Sequence, residues 1–221
     1  MATFRLITPA PADEHGPLPP HATARPRRPR LIWLERLLLV IAFVCCGYYT
    51  YVSAETYLYQ AYENRELDLI LASAPARIPD RAHAAARVRP VNGERMGRVE
   101  IPRLGVSVVV RAGSDARTLQ LAVGHIPGTA LPGESGNMGL AGHRDTFFRR
   151  LRDIETGDEI NVVTPEGTFA YRVERTVIVE PEDVWVLDPT TSSTLTLVTC
   201  YPFTYVGSAP QRFIVRASLS R

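Results

Sequence analysis

The chain has 221 residues, 45% of them hydrophobic and 22% charged, and a formal net charge of +2. A chain of this length can bury one substantial core, so we expect one folded domain. All 25 basic residues are arginine, which excludes lysine Schiff bases, lysine general bases and P-loops. The near-neutral charge, with no basic stripe outside the N-terminal region, argues against nucleic acid as a partner.

The N-terminal segment, residues 1–36, is predicted to be a disordered, basic cytoplasmic tail. It is rich in proline, alanine, histidine and arginine without hydrophobic periodicity, and it contains the basic tract "RPRRPR" at 25–30. A basic segment of this kind, placed before an apolar run, favours the cytoplasmic side of a membrane.

Residues 37–54, "LLLVIAFVCCGYYTYVSA", contain no charge and no proline. As a helix this run would extend roughly 27 Å, close to the thickness of the hydrocarbon layer. Arginines precede it and Glu55 follows it, so we predict a single transmembrane anchor with an extracytoplasmic C-terminal domain. Cys45 and Cys46 are interpreted as apolar residues of this anchor.

A cleaved signal peptide is the alternative, because "VSA" at 52–54 offers the small residues that a signal peptidase requires. The apolar run exceeds the usual core of about 7–15 residues, and the basic region lies deep in the chain. We therefore favour the uncleaved anchor.

Residues 55–96 are predicted to be a juxtamembrane helix followed by a tether. The stretch "ETYLYQAYENRELDLILA" can continue the helix, whereas the following proline-, alanine- and arginine-rich stretch is interrupted by Pro75, Pro79 and Pro90.

From residue 97 to 221 the pattern changes to short β-branched runs separated by glycine and proline, which indicates a barrel or sandwich. One short helix is predicted over 114–123, with Ser114 as its N-cap. The "PEG" at 165–167 predicts a hairpin between its two flanking strands. The candidate strands are 98–101, 106–111, 137–142, 159–164, 168–175, 176–179, 193–200 and 212–217.

Cys200 ends the alternating pattern "STLTLVTC" and is the only cysteine beyond the anchor, so it has no intramolecular disulfide partner there. A side chain at a strand end is rigidly aimed yet reachable. Such a cysteine is buried filler, an intermolecular crosslinker or a nucleophile, and its position alone leaves all three open.

Two further residues favour the nucleophile. His143 follows an apolar run and a glycine, and Arg212 opens the strand after Cys200. A thiol, an imidazole and a guanidinium that converge would suit acyl transfer: the thiolate attacks a carbonyl, the imidazolium protonates the leaving amine and the guanidinium stabilises the oxyanion. We expect no metal and no cofactor, because one cysteine and scattered histidines lack metal-ligand spacing.

These residues lie in three segments, "LAGHRDTFF", "TLTLVTCYPF" and "APQRFIVRA", that resemble the signature segments of the sortases, the cysteine transpeptidases that process cell-surface proteins. The TLxTC motif matches at 196–200. The glycine-histidine pair falls on Gly142 and His143, and the family's arginine falls on Arg212. The segments "GHIPGTALPGESGN" and "GDEI" are similar to the class D branch in particular, so the likeness covers about 97–217.

The resemblance implies a mainly β fold: a closed eight-stranded barrel with one or two short helices, preceded by the membrane anchor. It implies Cys200, His143 and Arg212 as catalytic residues. It also implies cleavage of an LPxTG-like C-terminal sorting signal of secreted surface proteins through a thioacyl enzyme. An amine acceptor, such as a cell-wall precursor, would then receive the acyl group.

Three residues compete for roles in this site. His125 is the second histidine of the domain, and a loop histidine before a proline favours a structural role. Asp145 could orient the catalytic histidine, although a salt bridge with Arg144 or Arg149 is the stronger expectation. Arg216 shares a strand face with the proposed catalytic arginine.

Other classes fit less well. A papain-like hydrolase needs a cysteine that opens a helix, and the peptidoglycan L,D-transpeptidases need histidine-glycine and serine-x-glycine-cysteine segments that are missing. The non-enzymatic alternative is a cell-wall-binding β-domain in which Cys200 is buried and inert.

Overall fold

The structure, a computed structural model, describes residues 29–73, 89–205 and 207–220. The chain divides into two compact units, Met1–Tyr48 and Tyr49–Arg221. The predicted tail up to residue 28 and the tether residues 74–88 lie outside the described residues.

Helix α1 (Pro29–Ser73) is 45 residues long and begins in the first unit. Within it, Leu31–Glu66 is long and apolar enough to cross a membrane, by length and composition. Most of its large apolar side chains between Leu31 and Tyr51 are exposed. A signal sequence would meet the same criterion. The predicted anchor and the predicted juxtamembrane helix both lie within α1.

The second unit contains a closed barrel of eight strands in the order β1-β2-β3-β4-β7-β8-β6-β5, which confirms the predicted fold class. Two neighbouring pairs are parallel, β2 with β3 and β4 with β7, and the others are antiparallel. The strands are β1 (Arg95–Ile101), β2 (Val106–Ala112), β3 (Val123–His125), β4 (Gly136–Ala141), β5 (Glu159–Thr164), β6 (Gly167–Val179), β7 (Ser193–Tyr201) and β8 (Gln211–Leu219).

Besides shifts of one to three residues at strand ends, the strands differ from the predicted ones in two respects. The runs 168–175 and 176–179 form one strand, β6, whose register against β8 shifts between Val173 and Arg175. Strand β3 was not predicted, because three residues are too short to show a period. The predicted hairpin is confirmed, since Thr164 pairs with Gly167 across the β5–β6 turn.

Helix α2 (Ala116–Leu121) is shorter than predicted. Its N-cap is Asp115, not Ser114, and the Asp115 carboxylate accepts hydrogen bonds from the backbone N–H groups of Arg117 and Thr118. The bond from Thr118 lowers the pKa of Asp115 to about 2. The helix ends before Val123 because that residue pairs with β2 as the first residue of β3.

The barrel interior is filled by alternate residues of the strands, as the period of two requires. Leu197 and Val215 point inward, whereas their neighbours Val198 and Ile214 belong to a smaller cluster on the outer face. The interior cluster includes Val99, Ile101, Val108, Val110, Val123, Met138, Leu140, Ile160, Val162, Tyr171, Val173, Leu195, Leu197, Val215 and Ala217.

A 3₁₀ helix, Val184–Leu187, covers the outer face of β4. A Cβ at Gly139 would lie 3.0 Å from the Leu187 side chain, so glycine permits this close approach. Buried Asn137 holds the segment by donating to the carbonyls of Val186 (3.0 Å) and Asp188 (3.2 Å). Its Oδ1 accepts from the Thr196 hydroxyl at 2.7 Å, which ties the segment to β7.

The second half of α1 packs on the barrel. Gln60 accepts a hydrogen bond from Val109 N (3.1 Å) and donates one to Leu121 O (2.6 Å), so it satisfies a backbone group on β2 and another on α2. Ion pairs join the same part of the helix to β1, namely Arg95 with Glu63 (2.8 Å), Arg95 with Glu66 (2.7 Å) and Arg98 with Asp68 (2.8 Å). The helix after the predicted anchor therefore packs as part of the β-domain.

We expect Asn137→Ala to lower the free energy of unfolding by about 1–3 kcal/mol, because it leaves buried partners on β7 and on the covering segment without a hydrogen bond. Urea unfolding measures the change. The matched control is Asn161→Ala, which removes an exposed bond to Glu159 and should change stability by no more than about 0.5 kcal/mol. Equal effects of the two substitutions would contradict this role of Asn137.

Candidate active site

Cys200 is the penultimate residue of β7 and is partly exposed. Because Leu195 and Leu197 point into the barrel and Val198 points outward, alternation places the thiol on the outer face with Val198. The thiol is therefore reached from outside the barrel wall and not through its interior.

An aromatic cluster lies beside Cys200. The Tyr201 and Phe213 rings stack with centroids 6.2 Å apart, and Phe203 meets both rings edge-on, at 5.9 Å from Tyr201 and 5.2 Å from Phe213. Phe203 and Phe213 also pack against the barrel core. This packing stiffens the end of β7 and the loop that follows it.

Arg212 lies directly opposite Cys200 in the antiparallel pairing of β7 with β8. Directly opposed residues share a sheet face, with their Cβ atoms about 4.5–5.5 Å apart. The Nη1 group of Arg212 donates to the carbonyls of Ala209 (3.2 Å) and Gln211 (3.0 Å). These bonds hold the guanidinium at the strand end where the thiol emerges.

Arg216, the competing arginine, pairs with Thr196. Four residues of strand separate it from Arg212, which corresponds to roughly 13 Å. It therefore lies farther along the barrel wall from Cys200.

His143 lies two residues beyond β4, and β4 runs parallel to β7. Their last paired residues are Ala141 and Val198, so the same register continued by two residues brings His143 level with Cys200. The connection persists beyond the strand, because Gly142 N donates to Val198 O (3.1 Å) and the Thr199 hydroxyl donates to Gly142 O (2.7 Å).

The glycine before His143 has a steric explanation. A Cβ at Gly142 would come within 2.7 Å of the buried Phe148 ring. Phe148 N in turn donates to His143 O at 3.1 Å. The turn after β4 thus folds back on itself, with His143 exposed and Phe148 fully buried.

Asp145 pairs with Arg144, as expected, and both carboxylate oxygens are engaged at 2.9 Å. The hydrogen bond from Arg144 lowers the pKa of Asp145. The sequence did not indicate that this arginine is buried, with only 6% of its side chain exposed, or that it also donates to Pro202 O at 2.8 Å.

His125, the competing histidine, is the last residue of β3 and is 4% exposed. Its Nε2 lies 2.9 Å from Ala130 O and 3.1 Å from the Thr129 hydroxyl. Burial lowers the pKa of His125. The pKa of a histidine in the unfolded chain is about 6.5, so the unfolded chain binds a proton at this side chain at a higher pH than the folded chain does. His125 therefore destabilises the fold as the pH falls below about 6.5.

The three residues predicted from the sequence thus come from the ends of three neighbouring strands, β4, β7 and β8. A thiol, an imidazole and a guanidinium at one end of the barrel can supply the nucleophile, the proton donor and the oxyanion partner of an acyl transfer. Within the described parts of the chain, no group of three or more histidine, cysteine or acidic side chains could hold a metal ion.

Comparison with known proteins identifies the family of the chain. A family model described as the sortase domain matches residues 99–220. Sortase D of Bacillus subtilis (strain 168) is 37% identical over 145 residues, which are 65% of this chain and 73% of that protein.

Solved structures of other sortases share the fold of this chain. A Clostridium perfringens sortase D5 transpeptidase is 31% identical with a TM-score of 0.55, over 64% of this chain and 87% of that one. The SrtA sortase from Actinomyces oris is 30% identical with a TM-score of 0.55, over 60% of this chain and 83% of that one. The match of the family model over more than half of the chain, on a barrel of the same fold, shows that this chain belongs to the sortase family of cysteine transpeptidases.

Proposed function

We propose that this chain is a membrane-anchored transpeptidase that cleaves an LPxTG-like C-terminal sorting signal and transfers the acyl part to an amine. The observation that carries the proposal is the pairing register, which places Arg212 opposite Cys200 and brings His143 level with it. Membership of the sortase family supports the substrate class and the general kind of acceptor.

In the acylation step the Cys200 thiolate attacks the scissile carbonyl carbon, and its C=O electrons move onto oxygen. The guanidinium of Arg212 offers N–H donors to that oxyanion. As the tetrahedral intermediate collapses, the His143 imidazolium gives its proton to the leaving amine. A thioester on Cys200 and a neutral imidazole result.

In the second step the acceptor amine attacks the thioester carbonyl and the Cys200 sulfur leaves as the thiolate. The amine loses a proton to the neutral His143 imidazole, which restores the starting pair. The same three groups therefore serve both halves of the transfer.

The sorting signal would lie along the outer apolar surface next to Cys200. Val198 and Ile214 contribute to the cluster beneath that surface. Val184 and Trp185, in the segment that covers β4, are exposed by 69% and 47%. Exposed apolar side chains beside a reactive group are suited to hold an extended, apolar peptide.

The proposed topology places the N-terminus in the cytoplasm and the barrel outside the membrane, with residues 37–54 of α1 as the single anchor. The arginines before the apolar run and the acidic residues after it support this orientation.

The function is tested by incubating the full-length protein in detergent with a panel of LPxTG-like peptides and an amine. We expect cleavage by the unmodified enzyme and a loss of at least about 10³-fold in Cys200→Ala, with an unchanged thermal transition, because the thiol contributes chemistry more than packing. Failure to cleave any peptide, together with a native Cys200 that resists iodoacetamide, would favour the inert cell-wall-binding domain.

The histidine role is tested in the same assay. We expect His143→Ala to lower turnover by about 10²–10⁴-fold, the range of general acid–base catalysis. His125→Ala should keep turnover in its folded fraction while lowering the melting temperature, because His125 is a buried, hydrogen-bonded residue of the fold. Equal, mild losses from the two substitutions would refute this assignment.

For the arginine role we expect Arg212→Ala to slow acylation by about 10²–10³-fold, as the loss of one oxyanion donor does elsewhere. Arg212→Lys should recover little, because lysine lacks the planar fork. Arg216→Ala is the matched control on the same strand and should acylate normally. The assignment is wrong if Arg216→Ala is the slower enzyme.

A further inference from the structure

Arg144 is a charged residue in an unusual place. It follows His143 directly, yet only 6% of its side chain is exposed, whereas its partner Asp145 is 67% exposed. Arginine is rarely so buried unless its donors are occupied. The catalytic scheme above assigns this residue no part, so its burial requires another explanation.

The donors of Arg144 bind in two directions. Nε and Nη2 form a bidentate pair with Asp145, at 2.9 Å each. Nη1 donates to Pro202 O at 2.8 Å, and Pro202 lies two residues after Cys200. A planar guanidinium can make such a set of bonds only in one orientation, so Asp145 aims the remaining donor at the loop after β7.

This bond is the last of a series that joins the end of β4 to the end of β7. The Thr199 hydroxyl donates to Gly142 O, on the strand side of the two catalytic residues. The bond from Arg144 to Pro202 lies on the loop side. His143 and Cys200 are therefore enclosed between one cross-connection before them and one after them.

Arg144 also lies within electrostatic range of Cys200. The hydrogen bond to Asp145 is the largest factor that raises the pKa of Arg144, and the negative charge of a Cys200 thiolate raises it further. The titratable groups near this end of the three strands include Asp145, Arg149 and His143 after β4, and Arg212 on β8.

We infer that Arg144 is a positioning residue: its bond to Pro202 holds the turn that carries His143 against the loop that follows Cys200, and Asp145 keeps it in that orientation. This inference rests on the proposed function, because the geometry that it maintains matters only if the imidazole and the thiol react together. A displacement of about 1 Å in such a pair can cost about 10²-fold in rate.

The test uses the full-length enzyme in detergent with Arg144→Met, Arg144→Lys and Asp145→Asn, and with Arg216→Met as the control that removes one arginine elsewhere on the barrel. Each variant is measured for kcat, KM and thermal midpoint. We expect kcat of Arg144→Met to fall about 10–100-fold with KM within about twofold, because substrate contacts remain while the reacting groups separate.

Arg144→Lys should not restore kcat, since an ammonium cannot bind Asp145 and Pro202 with the same geometry. Asp145→Asn should also lower kcat, by several-fold. Because the Asp145 side chain is exposed, this variant tests the positioning role if Arg144→Met fails to fold. Arg216→Met should match the unmodified enzyme.

An unchanged kcat in a folded Arg144→Met or Asp145→Asn enzyme would overturn the positioning role. A kcat fully restored in Arg144→Lys would overturn it too, because it would show that only the positive charge at this position matters. Alkylation of native Cys200 by iodoacetamide distinguishes failure of the positioning role from failure of the proposed function. A reactive thiol with unaffected variants refutes only the positioning role, whereas an unreactive thiol in an enzyme that cleaves no peptide refutes the proposed function and this inference with it.

Discussion

The site depends on one pairing, the parallel alignment of β4 with β7. This register brings the residue two places beyond β4 level with the penultimate residue of β7, while the antiparallel pairing with β8 places Arg212 opposite that same residue. Backbone pairing therefore brings His143, Cys200 and Arg212 to neighbouring strand ends. A slip of one residue in either pair would turn one of the proposed catalytic side chains to the other face of the barrel wall.

The side chains around the strand ends make this alignment rigid. Phe148 fills the space that a side chain at position 142 would occupy, and the rings of Tyr201, Phe203 and Phe213 pack together and join the ends of β7 and β8 to the loop between them. The covering segment is held on the outer face through Asn137. The proposed catalytic groups, with Cys200 half-buried and His143 exposed, thus lie on packed side chains, an arrangement that preorganises a site.

The sequence revealed the features that depend on short stretches of chain. Alternation placed Cys200 at a strand end, and the "PEG" turn identified the β5–β6 hairpin. Features that depend on tertiary contacts were not predictable: β3 exists only because β2 and β4 pair with it, and a break in β6 was inferred where the structure has only a shift of register. The bonds of Gln60 to β2 and α2 likewise join segments that are distant in sequence.

The most direct test of the account is the identity of the covalent intermediate. The full-length enzyme is mixed with a cleavable peptide in the absence of an amine, quenched in acid and analysed by intact mass and peptide mapping. We expect an adduct with the mass of the N-terminal acyl fragment, attached to Cys200 as a thioester and released by hydroxylamine. Peptide cleavage without an adduct on Cys200, or with the acyl group on another residue, would show that Cys200 is not the nucleophile.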